Sequence, residues 1–336
     1  MFLSRRMNAF FTHGEAQYFL AVRDNAVTGR VSAHINHAFN DHRGERWGWF
    51  GFLELEEEQE TADALLGAAA RWLRERGCET MVGPADFAMN NECGVLVEGH
   101  DLRPFVMQPW QPPYYQRLVE AAGLLKAIDL LMWNLEIEDL TSVQPAIVEL
   151  AEKVESEHGI RVRPMRRLRL RKELDAFAEV YNAAWADNWD FVPYRKKDLD
   201  EFARELHLVF DKHWFFIAEK IDTGEVVGMA ITVPDINQVL AKMNGRILPF
   251  GWLRFLRKSR TVTRVRVGFL GVKPEYQHTG VAAKLYLEHF NAAATTPQSG
   301  GEMGWILETN AAMNRAMEGM GGRIVKRYRM YEKALR

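Results

Sequence analysis

Val265-Arg266-Val267-Gly268-Phe269-Leu270-Gly271-Val272-Lys273-Pro274-Glu275-Tyr276-Gln277-His278-Thr279-Gly280-Val281-Ala282-Ala283-Lys284-Leu285 is the stretch that decides how this chain reads. Its apolar opening is a buried strand that ends at Pro274. A short loop follows, and a helix opens near Gly280. A helix N-terminus offers N–H groups without intrahelical partners, together with the positive end of the dipole. Gly280 and Ala282 remove bulk at that point, so a pyrophosphate can approach the backbone closely. The spacing differs from the Walker A loop, which ends in Gly-Lys-Ser/Thr, and from G-x-G-x-x-G. The plainer alternative is an ordinary strand-to-helix turn.

Outward from this segment the second half reads as a strand at 160–163, helices at 171–186 and 197–210, and a hairpin of 214–220 with 225–233 around Asp222-Thr223-Gly224. The strand at 262–272 and the helix at 280–294 come next, followed by a strand at 303–308, a helix at 311–320 and a last strand at 323–331. The first half shows strands at 18–22 and 27–38 joined by a turn at Asp24-Asn25, a strand at 47–55, and a helix at 58–77 closed by Gly77. A strand at 80–83, a helix at 113–122 and a long strand at 124–136 complete it. The two halves share an order of elements. The expected division is a first domain at 1–138, a helical connector at 139–159 and a second domain at 160–336.

The chain has 336 residues, about right for two domains. Hydrophobic residues make up 47% and charged residues 26%, which excludes a disordered chain. A formal net charge of −2 argues against a nucleic-acid partner. Cys78 and Cys93 stand alone, and the ten histidines form no H-E-x-x-H, so no metal site is expected and a reduced cytoplasmic compartment fits. The basic N-terminus is followed by no apolar run and does not read as a signal peptide; no stretch of about 18 apolar residues reads as a membrane span.

Gln277-His278-Thr279-Gly280-Val281-Ala282 resembles the acetyl-CoA loop of the GCN5-related N-acetyltransferase (GNAT) superfamily, Q/R-x-x-G-x-G/A. The family's next motif, a strand ending in Asn, then a helix, then Gly, is matched by Ile306-Leu307-Glu308-Thr309-Asn310, the helix through Asn314 and Met317, and Gly321. The resemblance implies an α/β (α+β) fold of two GNAT-like domains, each a mixed, mostly antiparallel sheet flanked by helices. The first of them is degenerate, opening directly at its second strand. Where its cofactor loop belongs, after Leu55, stand Glu56-Glu57-Glu58-Gln59-Glu60, whose four carboxylates repel a pyrophosphate. The chain further resembles a tandem GNAT family that includes the bacterial ceramide synthases. The matching segments are Gly83-Pro84, 90–94, 97–99, Pro112-Pro113-Tyr114-Tyr115, 181–185 with Asn188-Trp189, 234–238 and Asn244-Gly245-Arg246.

The activity so implied is transfer of an acyl group from acetyl-CoA or a longer acyl-CoA to an amine, with a long-chain, sphingoid-type amine as the expected acceptor. Leu270, Val272, Gln277, His278, Thr279, Gly280, Val281, Ala282, Asn310 and Asn314 are the expected cofactor contacts. Backbone N–H groups of the strand beside the loop hold the thioester carbonyl. Glu308, Asp235 and Glu275 are candidate bases for the amine proton. Many family members protonate the leaving thiolate with a tyrosine of the last helix; Met317 stands at that position here, leaving Tyr328 or Tyr331 as substitutes. Trp185, Asn188 and Asn237 are candidate substrate contacts. A non-catalytic acyl-CoA or amine binder is the alternative. Residues 248–258 are short, apolar and basic, and suit peripheral contact with an anionic membrane interface; a core-packing helix is the other reading, and phosphate contact by the cations between 242 and 273 is a third. The basic run 161–172 is read as an edge strand without a function of its own.

Overall fold

The computed structural model describes residues 3–137, 140–186, 188–189, 191, 193, 210–243, 246, 248 and 261–335. In chain order the elements are β1 (Gly14–Arg23), β2 (Ala26–Asn36), α1 (His37–Arg43), β3 (Trp47–Leu55), α2 (Gln59–Arg74), β4 (Thr80–Gly83), β5 (Val95–Glu98), α3 (Tyr114–Ala121) and β6 (Leu125–Glu136). They continue with α4 (Pro145–His158), β7 (Ile160–Pro164), α5 (Leu170–Ala184), β8 (Phe215–Lys220), β9 (Val226–Pro234), α6 (Asn237–Met243), β10 (Arg264–Val272), α7 (Val281–Ala293), β11 (Gly300–Leu307), α8 (Ala311–Gly319) and β12 (Arg323–Ala334). Of the expected elements, the helix at 197–210 lies almost wholly outside the described residues. The short β5, α1 and α6 have no counterpart in the sequence reading.

Two compact units form, Met1–Leu131 with Val325–Arg336, and Met132–Ile324. This differs from a boundary in 139–159. The cause is strand pairing that no local signal reveals. β12 joins the first unit, where Tyr331 pairs with Gly83 and Ala334 with Thr80, antiparallel to β4. The division instead falls inside β6. The expected connector holds α4, which belongs to the second unit and lies against α7 and β7.

In the first unit β1, β2, β3, β4 and β12 are neighbours in that order, and β5 also pairs with β12. The β1–β2 hairpin turns through Asp24 (φ 47°) and Asn25 (φ 63°), the left-handed pair of a two-residue hairpin. α2 buries Ala62, Leu65, Leu66, Ala69 and Leu73 at helical spacing against Ala33, Phe50 and Leu53. Each buried leucine is worth roughly 2 kcal/mol of transfer free energy.

In the second unit β11, β10, β9, β8 and β7 follow one another. β7 lies against β8, and the basic alternation foreseen there is neutralised internally. Arg161 and Arg163 both reach the buried Glu219, at 2.7 and 2.8 Å, and Arg163 also pairs with Glu173 at 3.1 Å. β9 and β10 are antiparallel, with a register shift between Val267 and Phe269. β10 and β11 run parallel and pair from Arg264–Gly300 to Val267–Met303. Beyond that point β10 continues to Val272 and β11 to Leu307 without a further recorded pair, so the strands part.

Candidate active site

The parting of β10 from β11 opens a cavity of about 340 Å³. Leu270, Gly271 and Val272 form one wall; Gly304, Trp305, Ile306 and Leu307 form the other. Gln277 and Ala282 border it at the loop end, and Asn310, Met313 and Ala316 from the segment around α8. Trp185 and Asn188, just past α5, complete the lining. The Trp185 ring lies on Gly271 so closely that a Cβ there would sit 2.2 Å from it, which explains a glycine in mid-strand.

The loop itself is a 3-10 turn over Pro274–Thr279 that ends at Gly280, whose φ of 81° suits glycine. The α7 ladder begins with Lys284 N–H donating to the Gly280 carbonyl at 3.0 Å. Preceding N–H groups thus lie ahead of the i→i−4 ladder, and no acidic residue occupies the first turn of α7. This is the polarity an anionic group favours. A Cβ on Gly280 would not point into the cavity but at Leu150 of α4, 2.6 Å from its Cγ. Gly280 therefore serves two ends, the turn and the approach of α4.

Of the six expected loop contacts, Gln277 and Ala282 border the cavity. Gln277 is exposed, with its Nε2 3.4 Å from the Val272 carbonyl, and Ala282 is partly open. His278 is exposed. Thr279 is buried and its hydroxyl donates to the Tyr276 carbonyl at 2.6 Å, so that hydroxyl holds the turn. Val281 is buried in the core and offers only backbone. Asn310 caps α8 by accepting from Met313 N–H at 3.1 Å. Asn314 lies off the cavity lining: it donates to the Leu307 carbonyl at 3.1 Å and accepts from Trp133 Nε1 at 3.0 Å, tying β11 to the end of β6.

The proposed proton carriers are dispersed. Tyr328 belongs to the first unit, is fully buried, and donates its hydroxyl to the Pro109 carbonyl at 3.0 Å. Tyr331 is in the same unit and donates to Glu120 at 3.1 Å. Met317 is buried. Asp235 is buried and accepts from Asn237 N–H at 3.3 Å, setting the start of α6. Neither Asp235, Asn237, Glu275 nor Glu308 lines the cavity. The residue that sequence reasoning missed is Tyr286, on α7, which does. Its i+4 spacing from Ala282 was the available signal.

The cations between 242 and 273 that the structure describes largely have protein partners. Arg264 bonds Glu136 at 2.6 Å and also Asn134, Lys273 bonds Glu225 at 2.9 Å, and Arg266 lies 5.1 Å from the centre of the Trp305 ring. Of the segment 248–258, only Leu248 is among the described residues, and it is exposed. Among the described residues no helix is long and apolar enough to cross a membrane, and no His/Cys/Asp/Glu group has metal-site geometry.

No protein-family model matches the chain. It is 34% identical over 340 residues to bacterial ceramide synthase of Caulobacter vibrioides, covering 99% of this chain and 87% of that protein. It is 33% identical over 325 residues to protein YghO of Escherichia coli, covering 95% of this chain and 82% of that one. Among solved structures it resembles a tandem GNAT protein from the clavulanic acid biosynthesis pathway, with a TM-score of 0.57 and 12% identity over 96% of this chain and 84% of the other. A GCN5-related N-acetyltransferase from Sphaerobacter thermophilus gives a TM-score of 0.55 and 14% identity over 95% and 81%. The chain therefore belongs to the tandem GNAT family that includes bacterial ceramide synthase, and is an N-acyltransferase.

Proposed function

We propose that the chain transfers the acyl group of a fatty acyl-CoA to the nitrogen of a long-chain, sphingoid-type amine, in the cavity between β10 and β11. The observation that supports it is that cavity, which runs from the glycine-capped start of α7 to the parted strands. Phosphate oxygens of the donor fit the N–H groups at the start of α7, where the small Ala282 leaves room and no acidic residue stands. Its thioester arm fits between Leu270–Val272 and Gly304–Leu307, whose N–H groups are the available donors to the thioester oxygen. Small and apolar residues on both walls exclude water and hold the arm.

The acceptor is assigned to the side bordered by Trp185 and Asn188, where an indole face and an amide suit an amine that carries an alkyl chain. The relative's name, bacterial ceramide synthase, supports the choice of a sphingoid base. A cytoplasmic location with peripheral membrane contact through 248–258 belongs to this reading, because it delivers a lipid amine from the bilayer surface.

The test is incubation of the purified protein with acetyl-CoA and palmitoyl-CoA, each with and without sphinganine, following free thiol and N-acyl product by mass spectrometry. Sphinganine-dependent thiol release with an N-acylated product is expected. CoA binding without product would overturn the sphingoid acceptor and favour other amines or a binding role.

A further inference from the structure

We propose that the Tyr286 hydroxyl is the hydrogen-bond donor that meets the thioester sulfur and stabilises the departing thiolate. The inference rests on the acyl-CoA reading and adds a catalytic residue to it.

Tyr286 lies four residues beyond Ala282 on α7, and therefore on the same helix face as the residue that borders the cavity. It is only 5% exposed, and among the described residues lining the cavity it is the one titratable side chain. It lines the cavity together with Val267 and Met303, the last paired residues of β10 and β11, so it stands where the strands part. Its hydroxyl donates to Met313 Sδ at 3.2 Å. A divalent sulfur is thus the acceptor this hydroxyl already faces. A thioether is a weak acceptor, and a sulfur gaining charge as its C–S bond breaks is a far stronger one. Exchange of the first for the second strengthens the bond as the reaction proceeds, which is the condition for accelerating it.

The balance is simple. The amine nitrogen bonds to the thioester carbon and the C–S electron pair goes to sulfur. The nitrogen loses one proton to solvent, and sulfur takes one from solvent on release. Tyr286 keeps its own proton throughout. Burial pushes its phenol well above the ordinary tyrosine range, which suits a permanent donor rather than a proton source. Met317 of α8 is buried and has no proton to donate, so the hydroxyl that borders the cavity comes from α7.

The experiment titrates the thiol of CoA bound to the full-length protein, followed by the ultraviolet absorbance of the thiolate, in wild type, Tyr286→Phe and Met313→Leu. In wild type and Met313→Leu the bound thiol should ionise about one pH unit or more below its value in Tyr286→Phe, roughly a tenfold difference in thiolate stabilisation. Turnover in Tyr286→Phe should fall about tenfold, with CoA affinity within about threefold of wild type. Equal thiol ionisation in wild type and Tyr286→Phe would overturn the proposal. So would a Met313→Leu protein shifted as far as Tyr286→Phe, which would make the pair a packing unit. If CoA fails to bind, the acyl-CoA reading falls and takes this proposal with it. If the thiol shift appears but no amine is acylated, only the transferase reading falls.

Discussion

The two units build the same cleft and put it to different use. In each, a strand with a register shift runs parallel to a shorter neighbour and parts from it: β3 from β4 in the first, β10 from β11 in the second. Each neighbour carries a cis peptide after a glycine of nearly equal φ, Gly83 at 157° and Gly304 at 159°. Three residues beyond those glycines stand Asp86 and Leu307. In the first unit Ala85 N–H still bonds the Phe50 carbonyl at 2.8 Å, and a Cβ on Gly51 would meet the Ala85 carbonyl at 2.0 Å. The space left is about 80 Å³, bordered by Arg30, Glu54, Asp86 and Glu92, against about 340 Å³ in the second unit.

The helix that follows each cleft completes the contrast. α2 starts from an extended Glu58 and carries Glu60 in its first turn, so its dipole already meets carboxylates. Arg23 pairs with Glu58 and, at 3.0 Å, with Glu60; Arg117 holds Glu57 at 3.0 Å. α7 starts from a left-handed Gly280 and carries no acid there. One architecture thus becomes a filled, self-neutralised wall in one unit and an open anion-facing cleft in the other. The difference lies in a handful of side chains, not in the fold.

The strongest way to break this comparison is to make the second cleft resemble the first. Ala282→Glu places a carboxylate where phosphate oxygens are to sit, and CoA affinity measured by calorimetry should fall at least about 100-fold, or roughly 2.7 kcal/mol. The reciprocal change in the first unit, Glu57→Gly, should leave it within about twofold. A smaller effect is expected from Gly280→Ala, because alanine resists the left-handed turn and its Cβ meets Leu150. Thermal melts should show a loss of about 1–3 kcal/mol, and adding Leu150→Ala should recover part of it.

Asp86 sharpens the comparison from the other side. Burial pushes its carboxyl up to about 7, outweighing the hydrogen bond it accepts from Phe52 N–H at 2.7 Å. The folded state therefore holds a proton that the unfolded chain releases near pH 4. Stability contributed by this proton is full below about pH 4 and is lost as pH rises through about 7. Asp86→Asn should accordingly stabilise the protein at pH 8 by on the order of 1 kcal/mol relative to wild type, and less at pH 5, in urea melts at both values. The smallest effect is expected from Glu308→Gln. A residue acting as general base contributes about 10²–10⁴-fold, and Glu308 does not line the cavity, so turnover should stay within about threefold.

Much of this was legible in the sequence because it is local. The strand ending at Pro274, the turn at Gly280 and the helix beyond it are written in consecutive residues, and so is the acidic substitute at Glu56–Glu60. Trp185 and Asn188 came from motif resemblance and do border the cavity. What was not legible depends on pairing at long range. That β12 belongs to the first unit follows from its bonds with β4, some 250 residues earlier in the chain. Tyr328 is a candidate acid by its place on the last strand, yet its hydroxyl donates to the Pro109 carbonyl. Asp235 and Asn314 read as chemical groups and turn out to set a helix start and tie two strands. Tyr286 was hidden because tyrosine in an apolar helix reads as core, and only the parting of β10 and β11 exposes it to a cavity.

The most direct measurement of the central claim is the stoichiometry of CoA binding to the full-length protein by isothermal titration calorimetry, in wild type, Ala282→Glu and Glu57→Gly. The account predicts one CoA per chain, lost in Ala282→Glu and kept in Glu57→Gly. Two sites per chain, or one site insensitive to Ala282→Glu, would contradict it.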